Sequence, residues 1–290
     1  MGESGPVFAR DRPPLRVVVL NGRRVDPESA CLSIDDPAVR FGEGLLETMR
    51  AESGAVLFLD RHLDRLLRSA EELGLAPMPA RAELERDVQA ATLACPGEVL
   101  RVRLTATPGP TTLVEAQAAK LNPETAERGI DAVTVRGAWE PGHRAAEHKT
   151  IARAALRRAD RRAAAAGAET ALLLDERGRL GEATTANVFA VVGGEILTAP
   201  VRGILPGITR RAVLELEDVR EEMLEEPVWR SAAELFLSGS VQGIVPVVCV
   251  DGAPVGEGVP GPVTRRVARA WRALADREAR ARRGEHAPSG

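Results

Sequence analysis

Apolar and polar residues alternate in short runs through most of the chain and switch to a helical period in five stretches. Arg16–Leu20 is a β-branched run, and Asn21-Gly22 before Arg23-Arg24-Val25 predicts a tight hairpin. Asp36-Pro37 breaks the chain ahead of Phe41-Gly42-Glu43-Gly44. Leu45–Arg50 then alternates as a strand and turns at Ser53-Gly54 into Ala55–Leu59. With Asp60 as N-cap, His62, Leu63, Leu66, Leu67, Ala70 and Leu73 recur at helical spacing, and a second amphipathic helix fits Ala80–Leu93. Glu98–Thr107 alternates again, with Arg101 and Arg103 on one face.

Asp131–Arg136 reads as a strand, and the Ala/Arg-rich segment Thr150–Ala166 as a helix stopped by Gly167. Hairpins follow at Thr170–Leu174 and Asn187–Thr198, then a helix from Pro206-Gly207 to about Leu216. Leu235–Leu237 and Ile244–Val250 are strands, the latter turning at Asp251-Gly252, and a last helix covers Pro262–Arg282. Hairpins outnumber βαβ units, so the class is α+β. Residues 1–14 read as a loose arm. The polar, proline-broken stretch from Lys120 through Pro123 to Gly129 reads as a linker. The expected division is a small N-terminal α+β domain over 1–120, a linker at 121–130, and a larger cofactor-binding C-terminal domain over 131–290.

A chain of 290 residues buries a large core. Its net charge of −3 comes from interleaved signs, so nothing points to nucleic acid or an anionic membrane. No apolar run approaches a membrane span, and Met1–Pro14 lacks a signal-peptide core. Cys31, Cys95 and Cys249 show no metal or redox spacing, and His143 and His148 stand without further clustered ligands. Reduced thiols in a cytoplasmic protein with no metal site are therefore expected.

Candidate chemistry begins with composition. Two of the 39 basic residues are lysine, Lys120 and Lys149. In so arginine-biased a chain, a lysine opening the longest Ala-rich helical segment marks a position that needs an amine. Arginine stays protonated and forms no imine, whereas a partly buried lysine loses its proton readily. Lys149 is thus the candidate Schiff-base residue for an aldehyde cofactor. Glu182 follows 33 residues on, where a buried carboxylate could keep a pyridine nitrogen protonated. Pro206-Gly207-Ile208-Thr209-Arg210 offers free amides at a helix start for a phosphate, and Arg65 a guanidinium fork to the same group. Singly, each has an ordinary reading: a solvated helix-start lysine, a strand-end surface acid, a surface partner for Asp64.

Their order resembles that of the class IV, fold-type IV pyridoxal-phosphate enzymes, which include branched-chain and D-amino-acid aminotransferases and aminodeoxychorismate lyase. The resemblance spans Val17 to Trp271. It rests on Phe41-Gly42-Glu43-Gly44 with Glu47-Thr48, His62-Leu63-Asp64-Arg65-Leu66 and His148-Lys149-Thr150. Further on it rests on Glu182-Ala183-Thr184-Thr185-Ala186-Asn187-Val188-Phe189, Leu205-Pro206-Gly207-Ile208-Thr209-Arg210, and Pro246-Val247 with Asp251-Gly252.

The resemblance implies a two-domain fold of the D-amino-acid aminotransferase kind, pyridoxal 5′-phosphate between the domains, and a homodimer whose subunits contribute to each other's pockets. It implies Lys149 as imine lysine and proton shuttle, Glu182 on the ring nitrogen, and Arg65, Ile208, Thr209 and Ser240 around the phosphate. The small-molecule partners it implies are an amino acid and a 2-keto acid. Substrate contacts are expected from Arg40, Leu46, Arg101, Arg103 and Val241.

Two positions depart from the family's pattern. Leu45-Leu46 stands where many members carry an aromatic after the Gly-acid-Gly motif. Arg153 stands where tyrosine is common, one helical turn from Lys149 on the helix reading and in reach of the cofactor's phenolic oxygen. Arg153 is a feature of the lyase branch, so pyruvate elimination of the aminodeoxychorismate lyase type is the alternative to amino transfer. A cofactor-binding protein without turnover is the second alternative.

Overall fold

The structure, a computed structural model, describes residues 16–109, 111–122 and 124–284. The arm expected over 1–14, Pro123 of the expected linker, and Pro110 lie outside the described residues.

The first half builds a six-stranded antiparallel sheet from β1 (Arg16–Leu20), β2 (Arg23–Val25), β3 (Leu45–Glu52), β4 (Ala55–Val56), β5 (Val99–Ala106) and β6 (Thr112–Ala118), in the order β2-β1-β6-β5-β3-β4. Asp36-Pro37 does more than break the chain. Asp36 caps a short helix, α1 (Pro37–Phe41), by accepting the Ala38 amide at 2.9 Å, and its other oxygen accepts the Thr107 and Thr111 hydroxyls.

Two helices, α2 (Leu59–Glu72) and α3 (Arg81–Ala94), cover one face of the sheet. Leu63 and Leu66 of α2 and Leu84 and Val88 of α3 bury against Met49, Val102, Leu104 and Val114. Each such side chain contributes about 1.5–3 kcal/mol of apolar burial. The strand expected over Ala55–Leu59 is cut short, because Phe58 takes a left-handed conformation (φ 53°) and caps α2 itself. Asp60 is therefore in the first turn and not the N-cap, and it pairs there with Arg81 and Arg282.

After a one-turn helix, α4 (Glu124–Arg128), the second half builds a mixed sheet. Its strands are β7 (Ile130–Arg136), β8 (Thr170–Leu174), β9 (Leu180–Ala183), β10 (Asn187–Val192), β11 (Glu195–Thr198), β12 (Val219–Glu221), β13 (Glu234–Gly239), β14 (Gly243–Val250) and β15 (Ala253–Pro254). The order is β12-β11-β10-β13-β14-β7-β8-β9, and β9 also pairs with β10 through Glu182 and Asn187. Six strands thus close into a ring filled by Leu172, Leu180, Val188, Leu237 and Val247. Outside it lie α5 (Ala154–Ala165), α6 (Ile208–Leu216), α7 (Glu226–Arg230) and α8 (Pro262–Arg282). Among the described residues no helix is long and apolar enough to cross a membrane.

The two sheets meet in a shared apolar cluster. Ala55, Leu57 and Phe58 from the first half pack with Phe189, Ile208, Phe236 and Trp271 from the second, and the Phe189 and Phe236 rings stack at 4.8 Å. Arg50 of β3 donates to the Val241 carbonyl at 2.9 Å, and Glu52 pairs with Arg272 of α8. A short strap crosses the gap as well. The Leu46 amide donates to the Lys149 carbonyl at 2.8 Å, and the Ile151 amide to the Gly44 carbonyl at 3.1 Å.

Candidate active site

Sheet register assembles the floor of a cleft lined by the second half together with Arg65 of the first. Asn187 of β10 lies opposite Glu182 of β9 on one side and Ser238 of β13 on the other. Directly paired residues project to the same side of a sheet, so the three polar side chains form a row. Glu182 Oε2 accepts the Leu205 amide at 3.2 Å and Asn187 Nδ2 at 3.4 Å, and Asn187 Nδ2 also donates to the Leu205 carbonyl at 2.8 Å. Burial pushes the Glu182 carboxyl up to about 8, against the lowering pull of the Leu205 amide and of the Lys149 and Arg153 charges.

Lys149 enters from the strap. Burial brings its amine down to about 7, helped by the like charges of Arg65 and Arg153 and opposed by Glu47 and Glu182. It does not open a helix, contrary to the expectation for Thr150–Ala166. Pairing with Gly44 and Leu46 holds 149–151 extended, and α5 begins only at Ala154 with Arg153 as its N-cap. The one-turn spacing between Lys149 and Arg153 is therefore not helical. Arg153 still reaches the cleft, and its Nη2 donates to the Thr184 carbonyl at 3.1 Å.

Above the floor stands the start of α6. Gly207 is its extended N-cap, and Arg211 makes a helical bond back to the Gly207 carbonyl. The Ile208 and Thr209 amides belong to the first turn, where a helix supplies no acceptor; they have none elsewhere among the described residues. A Cβ on Gly207 would stand 2.0 Å from Asn187 Oδ1, so only glycine lets the helix start sit this close to the floor. Arg65 joins them from α2, its Nη1 donating to the Pro206 carbonyl at 3.0 Å.

The wall opposite is Trp139. Its Nε1 donates to the Gly203 carbonyl at 2.7 Å, and its ring lies where a side chain on Gly181 would be, 2.4 Å from a Cβ there. Glu147 accepts the Gly203 amide at 3.1 Å and ties down the same loop. The cleft has a volume of about 560 Å³, within the usual range for a small-molecule site.

Of the residues expected from sequence, Arg65, Lys149, Arg153, Glu182, Ile208, Thr209 and Ser240 all line this cleft. Arg40, Leu46, Arg101, Arg103 and Val241 do not. Arg40 is exposed on α1, near Asp35 and the Phe41 ring. Leu46 is buried, its amide engaged by Lys149. Arg101 and Arg103 lie on β5, with Arg101 Nε buried and unpartnered and the Arg103 charge felt by Arg153. Val241 is the acceptor for Arg50.

Two residues of the lining escape a sequence reading, Trp139 and Ser238, and Glu47, quoted there as a motif residue, was given no role. Ser238 lines the cleft with a buried hydroxyl that lacks a partner. Its signal was its position two before Ser240, on the same side of an extended chain. Glu47 shares the core-facing side of β3 with Leu45 and Met49, and an acid at such a position calls for a buried cation.

Comparison with known proteins agrees with the geometry. The family described as amino-transferase class IV matches residues 44–250. The branched-chain-amino-acid aminotransferase of Salmonella typhimurium is 30% identical over 290 residues, covering 87% of this chain and 90% of that protein. D-alanine aminotransferase of Bacillus licheniformis is 27% identical over 269 residues, covering 86% and 94%. A solved structure of a hypothetical aminotransferase from Mycobacterium tuberculosis, in its PLP-bound form, shares the fold at a TM-score of 0.78 and 24% identity, covering 90% of this chain and 99% of that one. The chain belongs to the class IV aminotransferases, which move an amino group between an amino acid and a 2-keto acid.

Proposed function

We propose that the chain carries out this transfer with pyridoxal 5′-phosphate seated in the cleft, attached at Lys149. The donor set fits that group: an amine for the aldehyde, a carboxyl for the ring nitrogen, and free amides beside a guanidinium for the phosphate. When bound, the cofactor supplies the electron sink that makes the substrate's α-carbon acidic.

The chain's own residues do the rest. Lys149, with its amine brought to about 7, is neutral in a large fraction of molecules near neutral pH. It can take a proton from the α-carbon and deliver it to the cofactor's C4′. Glu182 keeps a proton on the ring nitrogen. Arg65, the Ile208 and Thr209 amides and Ser240 hold the phosphate, and Arg153 serves the phenolic oxygen. Trp139 and its loop keep water off the reacting face.

One observation carries this reading: a depressed amine and a raised carboxyl line a single cleft that ends on an open helix start. Borohydride treatment of the purified, cofactor-saturated protein tests it. The reduced label is expected on Lys149, and a label on Lys120 or none at all sinks the assignment. A second reading, pyruvate elimination, rests on Arg153 alone; pyruvate release without a keto-acid acceptor would favour it.

The reading includes a homodimer in the cytoplasm. The exposed Ile34, Val39 and Phe41 around α1 support the first, and the free thiols of Cys31, Cys95 and Cys249 suit a reducing compartment.

A further inference from the structure

We propose that Glu47 and His62 are positioning residues for Arg65, so that the grip on a phosphate ester depends on how the guanidinium is aimed and not on net positive charge. The inference rests on the cofactor reading above and names how its phosphate end is held.

The three side chains form a buried cluster between β3 and α2, with Glu47 and His62 each 1% exposed and Arg65 5% exposed. Glu47 takes Arg65 side-on: Nε donates to Oε1 at 2.8 Å and Nη2 to Oε2 at 2.5 Å. The same Oε2 receives His62 Nδ1 at 2.7 Å. Burial alone would raise the Glu47 acid, but the Arg65 charge and the hydrogen bonds from Arg65 and His62 outweigh it and hold the group at about 2. Glu47 is therefore an ionised acceptor. Burial lowers His62, so it donates from Nδ1 as a neutral ring.

A count of donors shows what is left. A guanidinium has five N–H groups. Glu47 occupies two and the Pro206 carbonyl a third, which leaves one on each terminal nitrogen. Arg65 lines the cleft, so this remaining pair is the end of the fork that an oxyanion meets. The third bond matters as much as the first two. Pro206 precedes the Gly207 cap, so the fork is fixed to the segment that presents the Ile208 and Thr209 amides. Two guanidinium and two backbone N–H groups are thereby registered to one another before any ligand arrives.

The electrostatics point the same way. With Glu47 ionised and His62 neutral, the cluster carries no net charge, although it contains the cleft's phosphate arginine. Attraction by net charge would be better served without Glu47. Burying an acid against a binding arginine is costly unless the geometry it imposes is the function.

The two accounts predict opposite signs for one substitution. Glu47→Gln keeps the shape and adds one unit of positive charge, whereas Glu47→Asp keeps the charge but is a methylene too short for the side-on pair. Dissociation constants of the apoprotein for pyridoxal 5′-phosphate and for pyridoxal, which lacks the phosphate, can be read from quenching of the intrinsic tryptophan fluorescence. Both variants are expected to weaken the phosphorylated ligand about tenfold, the scale of one charge-assisted hydrogen bond. Pyridoxal should stay within about twofold, since it makes no such bond.

Tighter or unchanged binding of the phosphorylated ligand by Glu47→Gln overturns the proposal, as does equal weakening of both ligands. If Glu47→Gln does not fold, His62→Leu carries the test, because it leaves the Glu47–Arg65 pair in place. A phosphate-selective loss of about threefold, part of one hydrogen bond, then supports the proposal, and a loss without that selectivity overturns it. Failure of the wild-type chain to bind either ligand would instead sink the cofactor reading itself.

Discussion

The Leu46 amide reaches the Lys149 carbonyl at 2.8 Å, so the cleft's amine hangs from the edge of the first sheet and does not stand on a helix. Its neighbour in that strap is Gly44, whose φ is +156°. A Cβ there would lie 3.1 Å from the Ala106 carbonyl and 3.2 Å from Ile151 Cδ1. Gly44→Ala is expected to displace the strap, lowering kcat/KM at least about fivefold while costing about 1–2 kcal/mol in urea unfolding. Wild-type turnover in this variant would show that the strap does not position Lys149.

The amine at about 7 sets a pH dependence for cofactor capture. Only the neutral form attacks an aldehyde, so capture of pyridoxal 5′-phosphate by the apoprotein should climb with pH below about 7 and level off above it. Stopped-flow absorbance reads the midpoint directly. A midpoint near the ordinary 10.5 would mean that Lys149 is not desolvated in solution. Lys149→Ala should lower turnover by about 10²–10⁴-fold or more, the scale of a lost proton carrier.

Glu182 makes a stability prediction with a definite sign. The unfolded chain releases this proton near 4.5 and the folded chain near 8. Between those values the folded state holds more protons, so apoprotein stability falls as pH rises from about 5 to 8. Lys149 acts in the opposite sense from about 7 to 10.5, where the unfolded chain holds the extra proton and stability recovers. Glu182→Gln should therefore raise the apoprotein's Tm at pH 8 and flatten the fall, yet slow turnover about a hundredfold. A variant less stable than wild type at that pH would contradict the raised pKa.

Gly181 and Trp139 share one space, so they should show strong coupling. Gly181→Ala puts a methyl 2.4 Å from the indole and should push Trp139 out of the wall, weakening cofactor binding about tenfold or more. Adding Trp139→Leu should restore most of that loss, because the collision is gone. Additive losses in the double variant would place the damage elsewhere.

The residues brought together in the cleft were legible where chemistry demanded a residue type. Lys149 stood out in an arginine-biased chain, and Glu182, Arg65, Ile208 and Thr209 followed by order and spacing. Local patterns also sufficed for the Asn21-Gly22 hairpin and for the bounds of α8. The start of α5 was not legible, because Ala and Arg favour helix from Thr150 onward and the competing strand partner, Gly44–Leu46, is about a hundred residues away. Glu47 and His62 stood in the motifs that carry the resemblance, but their roles were hidden for a related reason: their contact joins a strand to a helix across a packed interface. Arg101 and Arg103 were correctly placed on one face of β5, but that face lies outside the cleft lining.

The apolar seam through Phe58, Phe236 and Trp271 also fastens the two halves to one another. Parting the halves would expose these rings to water, so apolar burial opposes it. The loop carrying Trp139 and Glu147 is held instead by hydrogen bonds to Arg202 and Gly203. Freeing that loop would break a few hydrogen bonds, whereas parting the halves would wet a whole aromatic seam.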